Sequence, residues 1–199
     1  MRLRQRFFRR DAVTVARELL GKELRSGAVR LRITEVEAYR ADDSACHAYH
    51  GRTPRTSVMF GPPGRAYVYL CYGLHHLLNV VTGPVGEASA VLIRACEPVA
   101  GLDIVRERRG GKGGKGPALL TGPGKVAQAL GVDRSWCGHR LYAAGGLELH
   151  AGRAPSSVLV GPRIGIDYAS PEHRELPWRF AAGDSPWVSH RRALECEGA

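Results

Sequence analysis

The stretch "AVRLRITEVEAY", residues 28–39, decides the architecture of this chain. Apolar residues recur at every second position up to Ile33, which is the period of a strand with one buried face. Continuing the alternation places Glu35 and Glu37 on the side of those apolar residues. A buried carboxylate is costly unless it is paired or used, so this strand predicts partners for both. The apolar positions are Val29, Leu31 and Ile33.

The flanking segments predict further helices and strands. "DAVTVARELLG", residues 11–21, predicts a helix capped by Asp11 and ended by Gly21. Residues 40–65 are polar and rich in Gly, Pro and Arg, and predict a long functional loop. "RAYVYLCYG", "HHLLNVV" and "ASAVLIRAC" then predict three strands with short connections, which favours an antiparallel meander.

The second half of the chain continues the mixture. Residues 97–109 predict a helix, "GGKGGKGP" a solvated basic loop, and "TGPGKVAQALGV" a turn into a helix that stops at Gly131. "SSVLVGPRIGI" and "GDSPWVS" predict short strands. No repeat or internal boundary divides the chain. We therefore predict an α+β fold, a single domain over residues 1–199 with its core at about 10–190, and a curved, predominantly antiparallel sheet flanked by helices.

The charge of the chain favours a polyanionic partner. The 199 residues carry a net charge of +10, from 25 Arg and 4 Lys against 19 acidic residues. Arg suits planar, bidentate contact with phosphates and bases, although a codon bias towards Arg would give the same composition. The five cysteines have no zinc-site spacing, the N-terminus is too charged for a signal peptide, and no apolar run reaches membrane-spanning length. These features predict a reducing, intracellular location.

Three polar residues in apolar surroundings are candidates for chemistry. Glu37 could act as a general base beside a cation, or be a structural ion pair with an arginine, which is the better interpretation of Glu35. Asn79, within "LLNVV", braces a turn or reads the edge of a ligand. Arg94 follows "AVLI" and needs a partner, either Glu37 or a phosphate. The sequence alone favours a structural role and a functional role equally for Asn79 and Arg94.

Aromatic residues cluster around these groups in the sequence. Tyr39 lies on the face of Glu37 if the strand persists, and Tyr67 and Tyr69 share one side of the next strand. Tyr72 stands beside Gly73 at a strand end, where it could protrude. Such aromatic faces near a carboxylate suit a planar, cationic ring, although tyrosines also pack well in strands, as we expect for Tyr67.

The motifs "EVEAY", "GRTPR", "YVYLCYG", "VLIRACEP", "TGPGK" and "SPWVS" occur in order from about Glu35 to Ser189, most of the chain. In this order and spacing the sequence resembles the alkyladenine (3-methyladenine) DNA glycosylase family. The resemblance implies hydrolysis of the N-glycosidic bond of alkylated or deaminated purines, such as 3-methyladenine, hypoxanthine and ethenoadenine, in base excision repair.

The resemblance also implies a role for each matching residue. Glu37 would activate the attacking water, with Arg94 near the water and the flipped nucleotide. Asn79 would face the base and disfavour the amino group of guanine, and Tyr72 would fill the gap left in the duplex. The residues that stack on the base would be Tyr39, His47 and Tyr69. The residues that approach the DNA backbone would be Arg55 and Lys125.

The chemistry fits these residue types. A nucleotide must leave the stack before its base can be excised, and a carboxylate both orients water and stabilises an oxocarbenium-like transition state. None of the four lysines lies between Glu37 and Arg94, so we predict a monofunctional hydrolase rather than a lyase that uses an amine. We expect no metal, no cofactor and no membrane, and a monomer acting on double-stranded DNA with damaged purines. The expected location is cytoplasmic, at the nucleoid in a bacterium, or nuclear in a eukaryote.

Two alternatives remain open at this stage. A non-catalytic RNA- or DNA-binding module would share the basic surface and the stacking tyrosines. It would have no use for a desolvated carboxylate, which repels phosphate, so the pair of Glu37 and Arg94 favours the enzyme. A hydrolase of free nucleosides is the weaker alternative, because it needs neither the positive charge nor a tyrosine that plugs DNA.

Overall fold

The structure, a computed structural model, describes residues 1–111 and 116–198. The described residues form nine strands and four helices, with short 3₁₀ turns between them. The strands are β1 (Glu23–Ser26), β2 (Val29–Tyr39), β3 (Ala66–Cys71), β4 (His75–Val81), β5 (Ala90–Ala100), β6 (Leu147–His150), β7 (Val158–Gly161), β8 (Arg179–Ala182) and β9 (Glu195–Cys196). The helices are α1 (Ala12–Leu19), α2 (Leu102–Arg108), α3 (Pro123–Leu130) and α4 (Pro171–Arg174). Residues 112–115 of the basic loop predicted at 110–117 lie outside the described residues.

All strands of the described chain join one sheet, and every pairing is antiparallel. The order along the sheet is β3-β4-β5-β2-β8-β7-β9, and β1 pairs with both β2 and β6. Strands β3, β4 and β5 form the predicted meander. The α+β fold with an antiparallel sheet is therefore confirmed.

The structure of β2 differs from the prediction made from the alternation of its apolar and polar residues. Its register against β5 shifts between Ile33 and Glu35 and again between Glu35 and Val36. Beyond this bulge, Val36 and Ala38 join the main hydrophobic core that also holds Ile33. The prediction that Glu37 shares the face of Ile33 is therefore wrong, because a bulge breaks the two-residue period and re-aims the following side chains. The strand also continues two residues further than Glu37, to Tyr39.

Helices α1 and α3 cover the sheet. The side chain of Asp11 accepts hydrogen bonds from the backbone N–H groups of Val13 and Thr14, which caps α1 as predicted. Helix α1 packs on β2 and β5, and α3 packs on β4 and β5. Gly131 ends α3 in the left-handed conformation, also as predicted. These helices fix the central strands, from which the candidate site residues project.

Two predicted segments differ from the structure. Residues 97–100 extend β5, and the helix begins only at Leu102, after Gly101 turns the chain with φ of +75°. "GDSPWVS" is not a strand; the strand β8 ends just before it. The hydroxyl of Ser185 accepts a hydrogen bond from the backbone N–H of Trp187, and Pro186 has no backbone N–H. This segment therefore cannot form the hydrogen bonds of a strand pair. No helix among the described residues is long and apolar enough to cross a membrane.

Candidate active site

A cavity of about 310 Å³ opens beside the β3–β4 hairpin. Its walls come from β2, β3, β4 and β5, from the loop after β2, from the start of α3 and from the segment after β7. Six predicted site residues line it: Tyr39, His47, Tyr69, Tyr72, Asn79 and Arg94. The volume and the mostly aromatic and aliphatic lining suit one small planar ligand.

The aromatic wall is built by His47 and two tyrosines of β3. The rings of His47 and Tyr69 lie 4.6 Å apart between centroids at 74°, and those of Tyr67 and Tyr69 lie 5.5 Å apart. Nδ1 of His47 is 2.9 Å from the hydroxyl of Tyr67, which fixes the imidazole. Tyr67 itself is 2% exposed, in agreement with the packing role predicted for it.

This wall carries no charge at neutral pH. Burial, with the positive charge of Arg55 acting in the same direction, lowers the pKa of His47 to about 4. Burial also raises the pKa of Tyr67 and of Tyr69 above the ordinary value for tyrosine. A neutral imidazole and two phenols therefore face the cavity, and none of them repels a cationic ring.

The carboxylate of Glu37 is fully buried and does not itself line the cavity, but it contacts three residues that do, Tyr39, Arg94 and Ile164. Its Oε1 accepts the backbone N–H of Ile164 at 2.8 Å and lies 3.2 Å from Nη1 of Arg94. Its Oε2 accepts the hydroxyl of Tyr39 at 2.8 Å. A carboxylate has about four lone-pair positions, so these contacts from the described residues leave one on Oε2. The arrangement can hold the ionised carboxylate in one orientation with an acceptor to spare.

Arg94 joins two carboxylates. Its Nε is 3.1 Å from Oε1 of Glu35, while its Nη1 reaches Glu37. Burial alone would lower the pKa of Arg94, but the negative charges of Glu37 and Glu35 outweigh it, so the pKa is raised. Of the two partners predicted for Arg94, the carboxylate is present in the structure. Glu35 is ion-paired, as predicted.

Tyr39 stands between the carboxylate and a buried cation. The guanidinium of Arg163 lies 4.8 Å from the centre of the Tyr39 ring, and it also pairs with Asp43, whose Oδ1 accepts from Nη2 at 3.0 Å. Burial, followed by the charge and hydrogen bond of Glu37, raises the pKa of Tyr39 well above its ordinary value. The Tyr39 hydroxyl is therefore a fixed donor to Glu37.

Asn79 is buried on β4 and lines the cavity. Its Nδ2 donates to the backbone carbonyl of Tyr67 on the neighbouring strand at 3.1 Å. This bond satisfies one amide hydrogen and fixes the orientation of the side chain. The bracing role and the ligand-reading role proposed from sequence are compatible in this geometry.

Tyr72 stands at the tip of the β3–β4 hairpin and is 91% exposed. It has φ of +50° and Gly73 has φ of +69°, while the backbone N–H of Leu74 donates to the carbonyl of Cys71 at 3.0 Å. A turn of this kind needs positive φ at both central positions, which usually selects Asn or Gly. A bulky aromatic side chain held there is strained, and such strain is typical of functional positions.

The two residues predicted to contact the DNA backbone, Arg55 and Lys125, lie outside the cavity wall. Arg55 is exposed and close enough to influence the pKa of His47. Lys125 lies in the first turn of α3, next to Pro123 of the cavity wall, and its Nζ donates to the carbonyl of Ala118 at 2.9 Å. Neither residue is part of the cavity wall.

The segment after β7 is the part of the site that sequence reasoning missed. It supplies Arg163, the backbone N–H of Ile164, and Tyr168, whose hydroxyl donates to the carbonyl of Ala45 at 2.8 Å. The sequence does indicate Arg163, because it places a charge within the apolar run "VLVGPRIGI", and such a charge needs a partner. Among the described residues, no group of three His, Cys, Asp or Glu side chains could hold a metal ion.

Comparison with known proteins gives one family. Residues 6–186 match the family model described as methylpurine-DNA glycosylase. A relative from Nitrosococcus oceani, named "Putative 3-methyladenine DNA glycosylase", is 60% identical over 191 residues, covering 96% of this chain and 94% of that protein. A relative from Arabidopsis thaliana, named "DNA-3-methyladenine glycosylase", is 58% identical over 184 residues, covering 92% of this chain and 72% of that protein.

Proposed function

This chain belongs to the methylpurine-DNA glycosylase family, and we propose that it excises alkylated and deaminated purines from duplex DNA through a flipped nucleotide and a water activated by Glu37. The family membership makes it a DNA glycosylase, a hydrolase of N-glycosidic bonds that acts on DNA with damaged bases. The choice of lesions, the flipping and the roles of single residues are our proposal.

The observation that supports the proposal best is the setting of Glu37. A buried carboxylate held by a guanidinium, a phenol and a backbone N–H stands beside an aromatic cavity with one acceptor position free. We propose that this position on Oε2 holds the attacking water. A pure binding module would gain nothing from burying such a group, because it must pay for desolvating a charge that repels phosphate.

The proposed reaction uses this carboxylate twice. The water oxygen attacks C1′ of the deoxyribose, its proton passes to Glu37, and the N-glycosidic bond breaks with its electron pair going to the departing base. The negative charge of Glu37 also stabilises the oxocarbenium-like transition state. A cationic alkylated purine leaves as a neutral base, whereas a neutral lesion such as hypoxanthine must take up a proton as it leaves.

The walls of the cavity would bind the extruded base. We propose that it stacks among Tyr39, His47 and Tyr69, where the electron-rich faces favour a cationic purine. Asn79 would face its edge and oppose the amino group of guanine. These contacts would offset the cost of unstacking, which is a few kcal/mol and smallest for a damaged pair.

Three residues would act on the DNA outside the cavity. Tyr72 would fill the gap left in the duplex, since it is exposed at the hairpin tip beside the mouth. Arg55 and Lys125 would contact the backbone, and the net charge of +10 would add sequence-independent attraction. We infer that the chain acts as a monomeric single glycosylase domain, core about 10–190, wherever chromosomal DNA lies.

A single-turnover excision assay tests the proposal. The substrates are duplexes with one hypoxanthine or one ethenoadenine, and methylated DNA from which released alkylated bases are counted. Wild type is compared with Glu37→Gln, and with Glu148→Gln as a matched control. Glu148 also pairs with an arginine, Arg2, but it lies on β6, outside the cavity wall.

We expect base release by wild type and by Glu148→Gln, loss of release in Glu37→Gln, and binding of damaged duplex by all three. If wild type binds DNA but releases no base from any substrate, the hydrolase mechanism fails and a non-catalytic nucleic-acid-binding module becomes the better account. If Glu37→Gln releases bases at the wild-type rate, another group activates the water.

A further inference from the structure

The catalytic candidate Glu37 is not the only carboxylate that Arg94 holds. The guanidinium reaches Oε1 of Glu37 with Nη1 at 3.2 Å and Oε1 of Glu35 with Nε at 3.1 Å. Both carboxylates are fully buried, and Arg94 is 7% exposed. The orientation of Arg94 towards Glu37 is therefore fixed at its other edge by Glu35.

Glu35 is itself held from the opposite side by the end of the "SPWVS" motif. The backbone N–H of Ser189 donates to Oε2 at 2.6 Å, and its hydroxyl donates to Oε1 at 2.8 Å. A second buried guanidinium, that of Arg179 on β8, lies 3.4 Å from Oε1. Glu35 thus has a fixed position that does not depend on Arg94.

We propose that Glu35 is a positioning residue for base excision. It fixes the guanidinium of Arg94, which in turn orients the carboxylate of Glu37, and Ser189 holds Glu35 in place. The proposal rests on the proposed function, since it assigns a role around the same carboxylate. It also gives a task to the motif at residues 185–189, which the excision mechanism did not use.

Geometry explains why this chain needs the second carboxylate. A guanidinium is a rigid planar fork, so fixing Nε in one ion pair fixes the direction of Nη1 in the other. Without the carboxylate of Glu35, Nε of Arg94 would lose its charged partner, and Glu37 would be the one carboxylate among the described residues that Arg94 contacts. Glu37 would then be held less precisely against the attacking water.

Charged and polar groups from several elements surround the carboxylate of Glu37. Glu37 faces Arg94 on β5, the hydroxyl of Tyr39 on β2 and the N–H of Ile164 after β7. Tyr69 and Tyr168 lie within its electrostatic reach, and Arg163 faces it from behind Tyr39. Removing the negative charge of Glu35 leaves the buried guanidinium groups of Arg94 and Arg179 with one carboxylate partner fewer.

The test is a mutant cycle with Glu35→Gln, Arg94→Met and the double variant. Single-turnover excision of hypoxanthine and of alkylated bases and binding of damaged duplex are measured for each variant, with urea unfolding as a record of folding. Glu148→Gln again controls for loss of a carboxylate paired with arginine. Excision by wild type and its loss in Glu37→Gln are measured in the same series, so failure of the proposed function is seen separately.

We expect Glu35→Gln to lower the excision rate about 10- to 100-fold, the size of one charge-assisted hydrogen bond. Damaged-duplex binding should stay within about threefold of wild type, and in the Arg94→Met background the same substitution should change the rate by less than about threefold. Equal factors in both backgrounds, or a loss of binding as large as the loss of rate, would overturn the proposal, because a merely structural carboxylate gives that result.

Ser189→Ala keeps the test decisive if Glu35→Gln does not fold. This variant retains the charge of Glu35 and the backbone donor, and it removes only the hydroxyl at 2.8 Å. We expect an approximately 3- to 10-fold loss of excision rate, with damaged-duplex binding unchanged and with no further loss when Arg94 is already Met. A loss of the same size in both backgrounds contradicts the role of Arg94 as the connection.

Discussion

The imidazole of His47 should make the protein less stable in mild acid. Its pKa is lowered from 6.5 to about 4, first by burial and then by the charge of Arg55. Between these two values the unfolded chain binds a proton that the folded protein does not. The free energy of unfolding therefore decreases as the pH falls below 6.5, and the contribution is fully lost below about 4.

The two pKa values set the size of the effect. One pKa unit corresponds to about 1.4 kcal/mol, so the largest loss is about 3 kcal/mol and the loss at pH 5 is about 2 kcal/mol. The ring of His47 is only partly buried, and solvent screening reduces these figures. We expect about 1 to 2 kcal/mol between pH 7 and pH 5.

The assay is urea unfolding at pH 7 and pH 5, followed by tryptophan fluorescence, for wild type and His47→Gln. His50→Gln is the matched control, because His50 is exposed in the same loop. His47→Gln should lose about 1 to 2 kcal/mol less than wild type between the two pH values, whereas His50→Gln should follow wild type. Equal losses in wild type and His47→Gln would refute the reasoning, since other titrating groups are common to both.

Four further substitutions separate chemistry from binding. Tyr39→Phe, which removes the donor to Glu37, should lower the single-turnover rate about 10- to 100-fold while damaged-duplex binding stays within about threefold; an unchanged rate would exclude the hydroxyl from the mechanism. Tyr72→Gly should keep or raise the unfolding free energy by up to about 1 kcal/mol, because it relieves a left-handed tyrosine, yet weaken binding of damaged duplex; a clear loss of stability would argue against strain. Arg55→Gln and Lys125→Gln should each weaken damaged and undamaged duplex alike and reduce the salt slope by about 1, as titrations in salt would show; a loss confined to damaged DNA would indicate a role inside the pocket.

The sequence predicted the fold well where periodicity and turn residues agree. The capped helix after Asp11, the meander and the stop at Gly131 were each marked by local chemistry. The bulge near Glu35 was not, because a register shift depends on how β2 pairs with β5, a partner some 60 residues away. The end of β5 was missed for a related reason, since the ladder with β2 extended a segment that resembles a helix start.

The residues of the candidate site also differ in how far the sequence could predict them. Residues whose side chains we propose to carry the chemistry, such as Glu37 and Arg94, could be found from polar types in apolar runs and from the motifs that resemble the family. The contribution of Ile164 could not, because a backbone N–H has no residue type to recognise. Arg163 carried a charge that called for a partner, but only the fold identifies that partner as Asp43, which lies 120 positions earlier.

The distribution of charge is compatible with the proposed binding of a cationic base by a basic protein. The net charge of +10 is carried by the surface, whereas the buried cluster beneath the cavity has two carboxylates and two guanidinium groups and is neutral as a set. With His47 uncharged, nothing in the aromatic wall opposes a positive ring. The surface charges that would attract the phosphates thus lie apart from the uncharged aromatic wall that would bind a cationic purine.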